Sequence, residues 1–264
     1  MKAKQLQITF LILTALTLMG GRTFAQSSIN LYMGMGINTI DNYDLGTVPY
    51  HLHGGGRVQD WGANIAWKRC QIQFDGRYFN SNLITLTGTN QGLDFNTEFL
   101  YRYHDTKSSR FHFYTGAALE GYGEVKSVPD LLNASFCMNV FGNICDVNMV
   151  QWDFAFNKAK THHWLTAYGK LTLPIVGIIN RPGYSYTYDS QGMDYIERFF
   201  AGHETFIKFF PGCSTDFGLW LNLKNSNRIG LNYRWDYLST GKEGVWRYDN
   251  AYHSVNLSFM FNIK

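Results

Sequence analysis

The chain is short of proline (5 residues in 264) and of cysteine (4), and it has no long apolar run after its first two dozen residues. Each shortage excludes something. A membrane-spanning helix needs about 20 consecutive apolar residues. No stretch beyond residue 26 approaches that length, so no such helix is expected there. Proline interrupts strands, and its scarcity leaves long extended segments intact. No surplus of one charge exists either. The net charge of +3 comes from Lys2, Lys4 and Arg22, and the remaining chain balances at 20 basic and 20 acidic residues. The sequence pI of about 8.6 therefore gives no reason to expect nucleic acid as a partner. Linkers, low-complexity tracts and repeats are also missing, which points to a single domain.

The first 25 residues read as an export signal. Lys2 and Lys4 form a basic start, Ile8 to Met19 is apolar apart from threonines, and Thr23-Phe24-Ala25 offers small residues for cleavage before Gln26. That combination is the pattern of a secretory signal peptide, too short for an anchor. Residues 1–25 are assigned to the signal and 26–264 to the single domain.

What the chain has in abundance is aromatic residues and glycine: 20 Phe, 17 Tyr, 7 Trp and 26 Gly. Aromatics favour strands. Reading parity along the chain gives ten segments in which apolar residues fall on every second position. Leu93, Phe95, Phe99, Tyr101 and Tyr103 alternate with Asp94, Asn96, Glu98, Arg102 and His104. The terminal segment places Val255, Leu257, Phe259, Phe261 and Ile263 opposite Ser254, Asn256, Ser258 and Asn262. Short turns (68–69, 105–109, 158–162, 224–227) alternate with long connections (about 38–60, 79–92, 127–149, 176–212, 238–251). Both termini fall on the short-turn side.

A soluble sandwich would hide its apolar face inside. Here the other face carries the charge, and Trp and Tyr gather near the strand ends of the apolar face, as a bilayer interface selects. The expected fold is all-β: a closed antiparallel up-and-down transmembrane β-barrel of about ten strands. The inward face then holds Asp60, Asp75, Arg77, Asp94, Glu98, Arg102, Glu120, Lys170, Arg234 and Asp236. Mixed signs in a narrow barrel predict a salt-bridged interior with little aqueous path. The Lys68-Arg69 turn sets Asp60 opposite Arg77, which fits that reading.

Two further expectations concern the connections. Ile196, Phe199, Phe200, His203, Phe206, Ile207 and Phe210 recur at helical spacing in 193–210, ended by Pro211-Gly212. This predicts a short amphipathic helix in a long extracellular loop; the alternative is an extra hairpin and twelve strands. Cys137 and Cys145 lie in the third long connection and are the candidate disulfide. Cys70 and Cys213 fall at opposite barrel ends and are not expected to pair.

With this alternation, turn rhythm, export signal and the ending "SVNLSFMFNIK", the chain resembles the Gram-negative outer-membrane β-barrel proteins. It departs from them in closing on Asn262-Ile263-Lys264 where a terminal aromatic is common. The resemblance implies a bacterial outer-membrane location, outer-membrane lipid as its surroundings and the barrel-assembly machinery as a partner during biogenesis. Some small barrels of this kind are enzymes. The omptin-like proteases use paired acids with an Asp-His pair, and no matching pairs occur at the strand tops; Asp236 stands alone beside Trp235. Outer-membrane lipid hydrolases use His-x-Ser, whereas His253 and Ser254 are adjacent and strand geometry sends them to opposite faces. His162-His163 lies at a periplasmic turn. His51-Leu52-His53 in the first connection has metal-like spacing but no completing ligand nearby in the sequence. No catalytic residue, metal or cofactor is assigned. The reading is a non-enzymatic narrow pore, structural or surface-interaction barrel. The alternatives are a lipid hydrolase at the extracellular rim and the barrel subunit of an envelope complex.

Overall fold

The computed structural model describes residues 27–45, 48–104, 110–130, 136–154, 164–182, 203–209, 211–240 and 247–263. Eleven strands run through them. They are β1 (Ser27–Asp44), β2 (Val48–Trp67), β3 (Cys70–Leu83), β4 (Gly88–His104), β5 (Phe111–Ser127), β6 (Phe136–Phe154), β7 (Leu165–Pro182), β8 (His203–Lys208), β9 (Gly212–Asn222), β10 (Arg228–Ser239) and β11 (Tyr248–Asn262). Every pairing is antiparallel. The ring runs β6-β5-β4-β3-β2-β1-β11-β10-β9-β7, and β6 pairs with β7 to close it. The terminal strand meets the first, with Leu31 opposite Phe261 and Ile37 opposite Val255. Closure leaves no strand edge facing lipid, where an unpaired amide or carbonyl is costly.

β9 pairs with the first half of β7, Leu165–Thr172, and β8 with the second, Gly177–Pro182. The two occupy one position in the ring, interrupted near Pro211, whose nitrogen has no hydrogen for the ladder. The barrel therefore has ten strand positions, not twelve. The helix expected over 193–210 is strand at His203–Lys208, where the far half of β7 takes up its backbone groups. Residues 193–202 of that segment lie outside the described residues, as do the signal segment and His162-His163.

The walls are taller than the apolar alternation suggested. The first long connection is almost entirely wall, since β1 and β2 meet at a turn near residue 45. Likewise β6 begins at Phe136, which corrects the cysteine reading. Cys137 and Cys145 lie in one extended strand, eight positions and about 26 Å apart at 3.3 Å per residue. A disulfide needs Cα atoms within about 7 Å. All four cysteines are thiols, with no disulfide among them.

Faces follow parity. Outward side chains form an exposed apolar belt including Met33, Met35, Ile37, Phe95, Phe99, Leu119, Phe217, Leu257 and Phe259. Inward side chains mix buried polar groups with two apolar clusters toward the rim away from the termini. Ile40, Leu52, Val58, Phe79, Leu83, Val128 and Tyr252 form one, and Phe141, Ile179 and Tyr248 the other. Glycine and aromatics work together across neighbouring strands. The Trp61 ring lies over Gly76 on the outside; Phe79 covers Gly92 and Trp220 covers Gly230 on the inside. A Cβ on Gly230 would come within 2.5 Å of the Trp220 ring. The chain is rich in both residue types because a narrow ring admits large rings only over bare backbone.

A side chain at Gly230 must displace Trp220. Gly230→Leu is expected to lower stability by about 1–3 kcal/mol, the usual range for overpacking. Adding Trp220→Ala should restore part of the loss. Urea unfolding of the single and double variants in detergent micelles checks this.

Candidate functional site: the barrel lumen

The inward faces of the strands converge on one place, the lumen. Its polar side chains are arranged in three tiers.

The middle tier is a ring of alternating charge. Arg77 Nη2 lies 2.5 Å from Asp94 Oδ2 and 2.8 Å from Asp236 Oδ2. Arg234 completes the ring, its Nε 2.8 Å from Asp236 Oδ1 and its Nη2 3.3 Å from Asp94 Oδ2. Arg77 and Asp94 come from the adjacent strands β3 and β4, while Arg234 and Asp236 come from β10, with β2, β1 and β11 between β3 and β10 around the ring. The pairs therefore span the lumen. Ser214 hydrogen-bonds Asp236, and the Arg77 guanidinium stacks 4.7 Å over the Tyr252 ring.

The tier nearer the termini centres on Lys170, whose Nζ is 2.6 Å from Glu98 Oε1 and 3.9 Å from Asp216 Oδ2. Asn96 Nδ2 also donates to Glu98 Oε1 at 2.5 Å, and the Tyr168 hydroxyl donates to Asp216 Oδ1 at 3.0 Å. Asp75 accepts from Tyr32 and from Gln73 Nε2. Around and below lies a polar cavity of about 260 Å3. Ser28, Ala66, Gln71, Gln151, Thr166 and Arg228 line it, all close to the short turns, so it reaches the barrel end where the chain begins.

The third tier lies at the far rim, past the apolar stretch of β1 that ends at Ile37. Lys126 Nζ is 2.8 Å from Asp44 Oδ2 and 3.0 Å from Glu124 Oε1. Arg181 pairs with the other oxygen of Asp44. Glu124 is wrapped by donors: Asn139 Nδ2 at 2.8 Å, Asn90 Nδ2 at 3.1 Å, and the hydroxyls of Tyr122 and Tyr248 at 2.8 Å each. Six strands contribute to this cluster. Its charged side chains are at most 1 % exposed. Burial alone would raise the Asp44 carboxyl, but Lys126 and Arg181 outweigh it and hold the group well below the usual carboxylate range. For Lys126, burial acts downward, and Asp44 with Glu124 overcomes it, keeping the ammonium charged above its ordinary range.

The structure brings together six of the ten residues assigned to the interior: Arg77, Asp94, Arg234 and Asp236 in one ring, Glu98 and Lys170 in a second pair. Asp60 faces Asn256, whose Nδ2 donates at 2.5 Å. Asp75 is held by Tyr32 and Gln73, and Glu120 accepts from Cys145 Sγ at 3.2 Å. Arg102 stands apart at the short-turn end, donating to Lys68 O at 3.2 Å. Asp44, Arg181 and Asp216 complete the tiers without having been assigned; Glu124 and Lys126, which parity already puts on the charged face of their segment, join the third. Asp216 was findable, because Phe217, Leu219 and Leu221 fix its parity. Arg181 was not, because a bulge intervenes: Ile144 pairs with Val176 but Cys145 with Pro174, leaving Ile175 extra and reversing the faces beyond.

Of the histidines, His112 faces inward at the short-turn end, its Nε2 3.2 Å from Asp153 Oδ2; three others face outward. His51 and His53 point outward from β2 toward Asp41, at 3.2 and 3.5 Å. His253 also faces outward, its Nδ1 2.8 Å from the Tyr233 hydroxyl, while Ser254 is buried inside. Among the described residues no group of three His, Cys, Asp or Glu side chains could hold a metal ion.

No family model matches the chain, and no curated protein does. Solved structures match in fold. The outer membrane protease OmpT from Escherichia coli superposes with a TM-score of 0.58 at 9 % identity, covering 92 % of this chain and 99 % of that one. Neisserial surface protein A matches at TM-score 0.40 and 9 % identity, over 88 % of this chain and 97 % of that one. The attachment invasion locus protein Ail of Yersinia pestis matches at 0.31 and 9 %, over 88 % of this chain and 99 % of that one. The chain has the closed ten-stranded fold of the Gram-negative outer-membrane β-barrels.

Removing one partner of a buried ion pair typically costs about 3–5 kcal/mol, so Lys126→Met should destabilise the barrel by that amount in urea unfolding at neutral pH. The lowered carboxylates Asp44 and Glu124 contribute stability that is full above their ordinary range and lost as acid titrates them in the fold. Lys126, held high, contributes fully below the ordinary lysine value and loses it only at higher pH. The wild-type contribution of this tier is therefore expected to stay level between about pH 5 and about pH 9.

Proposed function

We propose that this chain is an integral outer-membrane β-barrel, exported with residues 1–25 removed, that carries no open channel and serves as a structural or surface-interaction protein. The observation that supports this is the obstructed lumen. Three tiers of paired charges and three clusters of buried apolar side chains crowd it. The cavity at the termini end stops beneath the Arg77–Asp94–Arg234–Asp236 ring. A continuous aqueous path would require separating charges that are buried and mutually bonded, which leaves each of them unpaired in a poorly solvated space.

The same observation weighs against hydrolysis. A rim enzyme needs an activated group where substrate can reach it. The inward-facing acids at the far rim, Asp44 and Glu124, have no exposed surface and are committed to Lys126, Arg181 and amide donors, while the exposed Asp41 lies on the outer wall beside His51 and His53. His253 and Ser254 lie on opposite sides of the wall. The likeness to a protease at 9 % identity is one of fold.

Planar-bilayer recording of the purified wild-type protein tests the reading. Steady silence is expected; well-resolved unitary steps in the unmodified protein would overturn it. Intact-mass analysis of the membrane-extracted protein should find the N-terminus at Gln26.

A further inference from the structure

The outward face of the barrel is apolar at most positions, and β6 breaks the rule. Cys145, Val147 and Met149 turn inward and, with Leu100 and Ala118, form a buried apolar cluster. Asp146 and Asn148, between them in sequence, therefore turn outward. The usual pattern is inverted here: apolar inside, polar outside. Along the same strand the outward positions are Trp152 and Val150 on the termini side and Ile144 and Val140 on the other, all exposed. Across the ladder Asp146 sits between Ala117 on β5 and Leu173 on β7; Asn148 sits between Thr115 and Leu171. Trp152, stacked on Phe111 at 5.0 Å, marks the belt's edge near the short turns. Asp146 is six residues from it, about 20 Å along the strand and about 15 Å in height at a barrel strand's tilt. That is near the middle of an apolar band about 25 Å tall.

We propose that this β5–β6–β7 face docks a second copy of the same chain within the membrane through Thr115, Asp146 and Asn148. The inference rests on the membrane reading above. Lipid tails offer no hydrogen-bond donor to a carboxylate at that depth. Within one chain, Asn148 Nδ2 donates to Asp146 Oδ2 at 2.7 Å. That bond uses one amide proton and one carboxylate oxygen. The second oxygen, the second amide proton, the amide oxygen and the Thr115 hydroxyl are left to a partner. The patch holds both donors and acceptors, so it complements itself. A two-fold axis along the membrane normal brings it against its own copy, with Asn148 of each chain donating to Asp146 of the other. Ala117, Ala167 and Gly169 flank it, and small residues let two walls approach closely. Leu119, Ile144, Val150, Leu171 and Leu173 supply an exposed apolar rim.

The test is energy transfer between donor- and acceptor-labelled wild-type protein in phosphatidylcholine vesicles, titrated over lipid-to-protein ratio. Dimerisation is expected, with the midpoint shifted at least about tenfold toward crowding in the Asp146→Leu/Asn148→Leu double variant. Asp146→Asn, which keeps the hydrogen bonding, should dimerise nearly as well as wild type. Retention of a heat-modifiable compact band on electrophoresis shows that each variant is a folded barrel. A double variant that associates as tightly as wild type, or a wild type that stays monomeric at every ratio, overturns the proposal. So does stoichiometric recovery of a different protein that depends on Asp146 and Asn148. A protein that is soluble and folded without detergent would instead refute the membrane reading on which the patch depends.

Discussion

A strand in lipid has nowhere to place its amide and carbonyl groups except on another strand. That constraint forces closure, and most of the structure follows from it. Ten positions make a ring, β1 meets β11, and β6 meets β7. Where Pro211 withholds an amide, the eighth position is split into β8 and β9, and each half finds its place on β7. Pro174 falls beside the one-residue bulge at Ile175. The ring in turn fixes the interior: ten strands enclose a space that side chains can fill, so inward residues must suit one another across the lumen and not only along their own strands.

How they suit one another distinguishes this barrel from a water-filled pore. Arg77 and Arg234 each bridge Asp94 and Asp236, so four charges from two sides of the wall tie the lumen shut. Lys126 and Arg181 divide Asp44 between them, and Glu124 is saturated by four neutral donors. Large rings are accommodated by glycines on neighbouring strands, as Trp220 is by Gly230. The same economy of space governs the outside, where Trp61 lies flat on Gly76.

The ring and its inward charges were legible in the sequence wherever the outer face meets lipid, because lipid enforces strict alternation. Phe95, Phe99 and Tyr101 fixed the parity of Asp94 and Glu98; Trp67 and Cys70 fixed the register of Asp60 and Arg77. Legibility failed where that pressure stops. Above Ile37 the outward positions of β1 are Thr39, Asp41 and Tyr43, so a wall reads as a loop. On β6 the run Cys145-Asp146-Val147-Asn148-Met149 alternates in the inverse sense and reads as part of a connection, which produced the disulfide expectation for Cys137 and Cys145. On β7 one extra residue moved Arg181 from the apparent outer face to the inner one. In the 193–210 segment, helical spacing of apolar residues competed with the demand of the far half of β7 for a partner strand, and the sheet prevailed at His203–Lys208.

Above the cavity at the termini end, side chains close the lumen from the Arg77–Asp94–Arg234–Asp236 ring to the far rim. Two native thiols report on it directly, because Cys137 and Cys145 both face inward, at 2 % and 0 % exposure. Folded protein in micelles can be treated with a small charged methanethiosulfonate, with the outward-facing Cys70 and Cys213 replaced by serine, and the label mapped by mass. A closed lumen predicts that both thiols stay unmodified until the barrel is unfolded. Rapid labelling of either one in the folded barrel would show instead a lumen open to solvent.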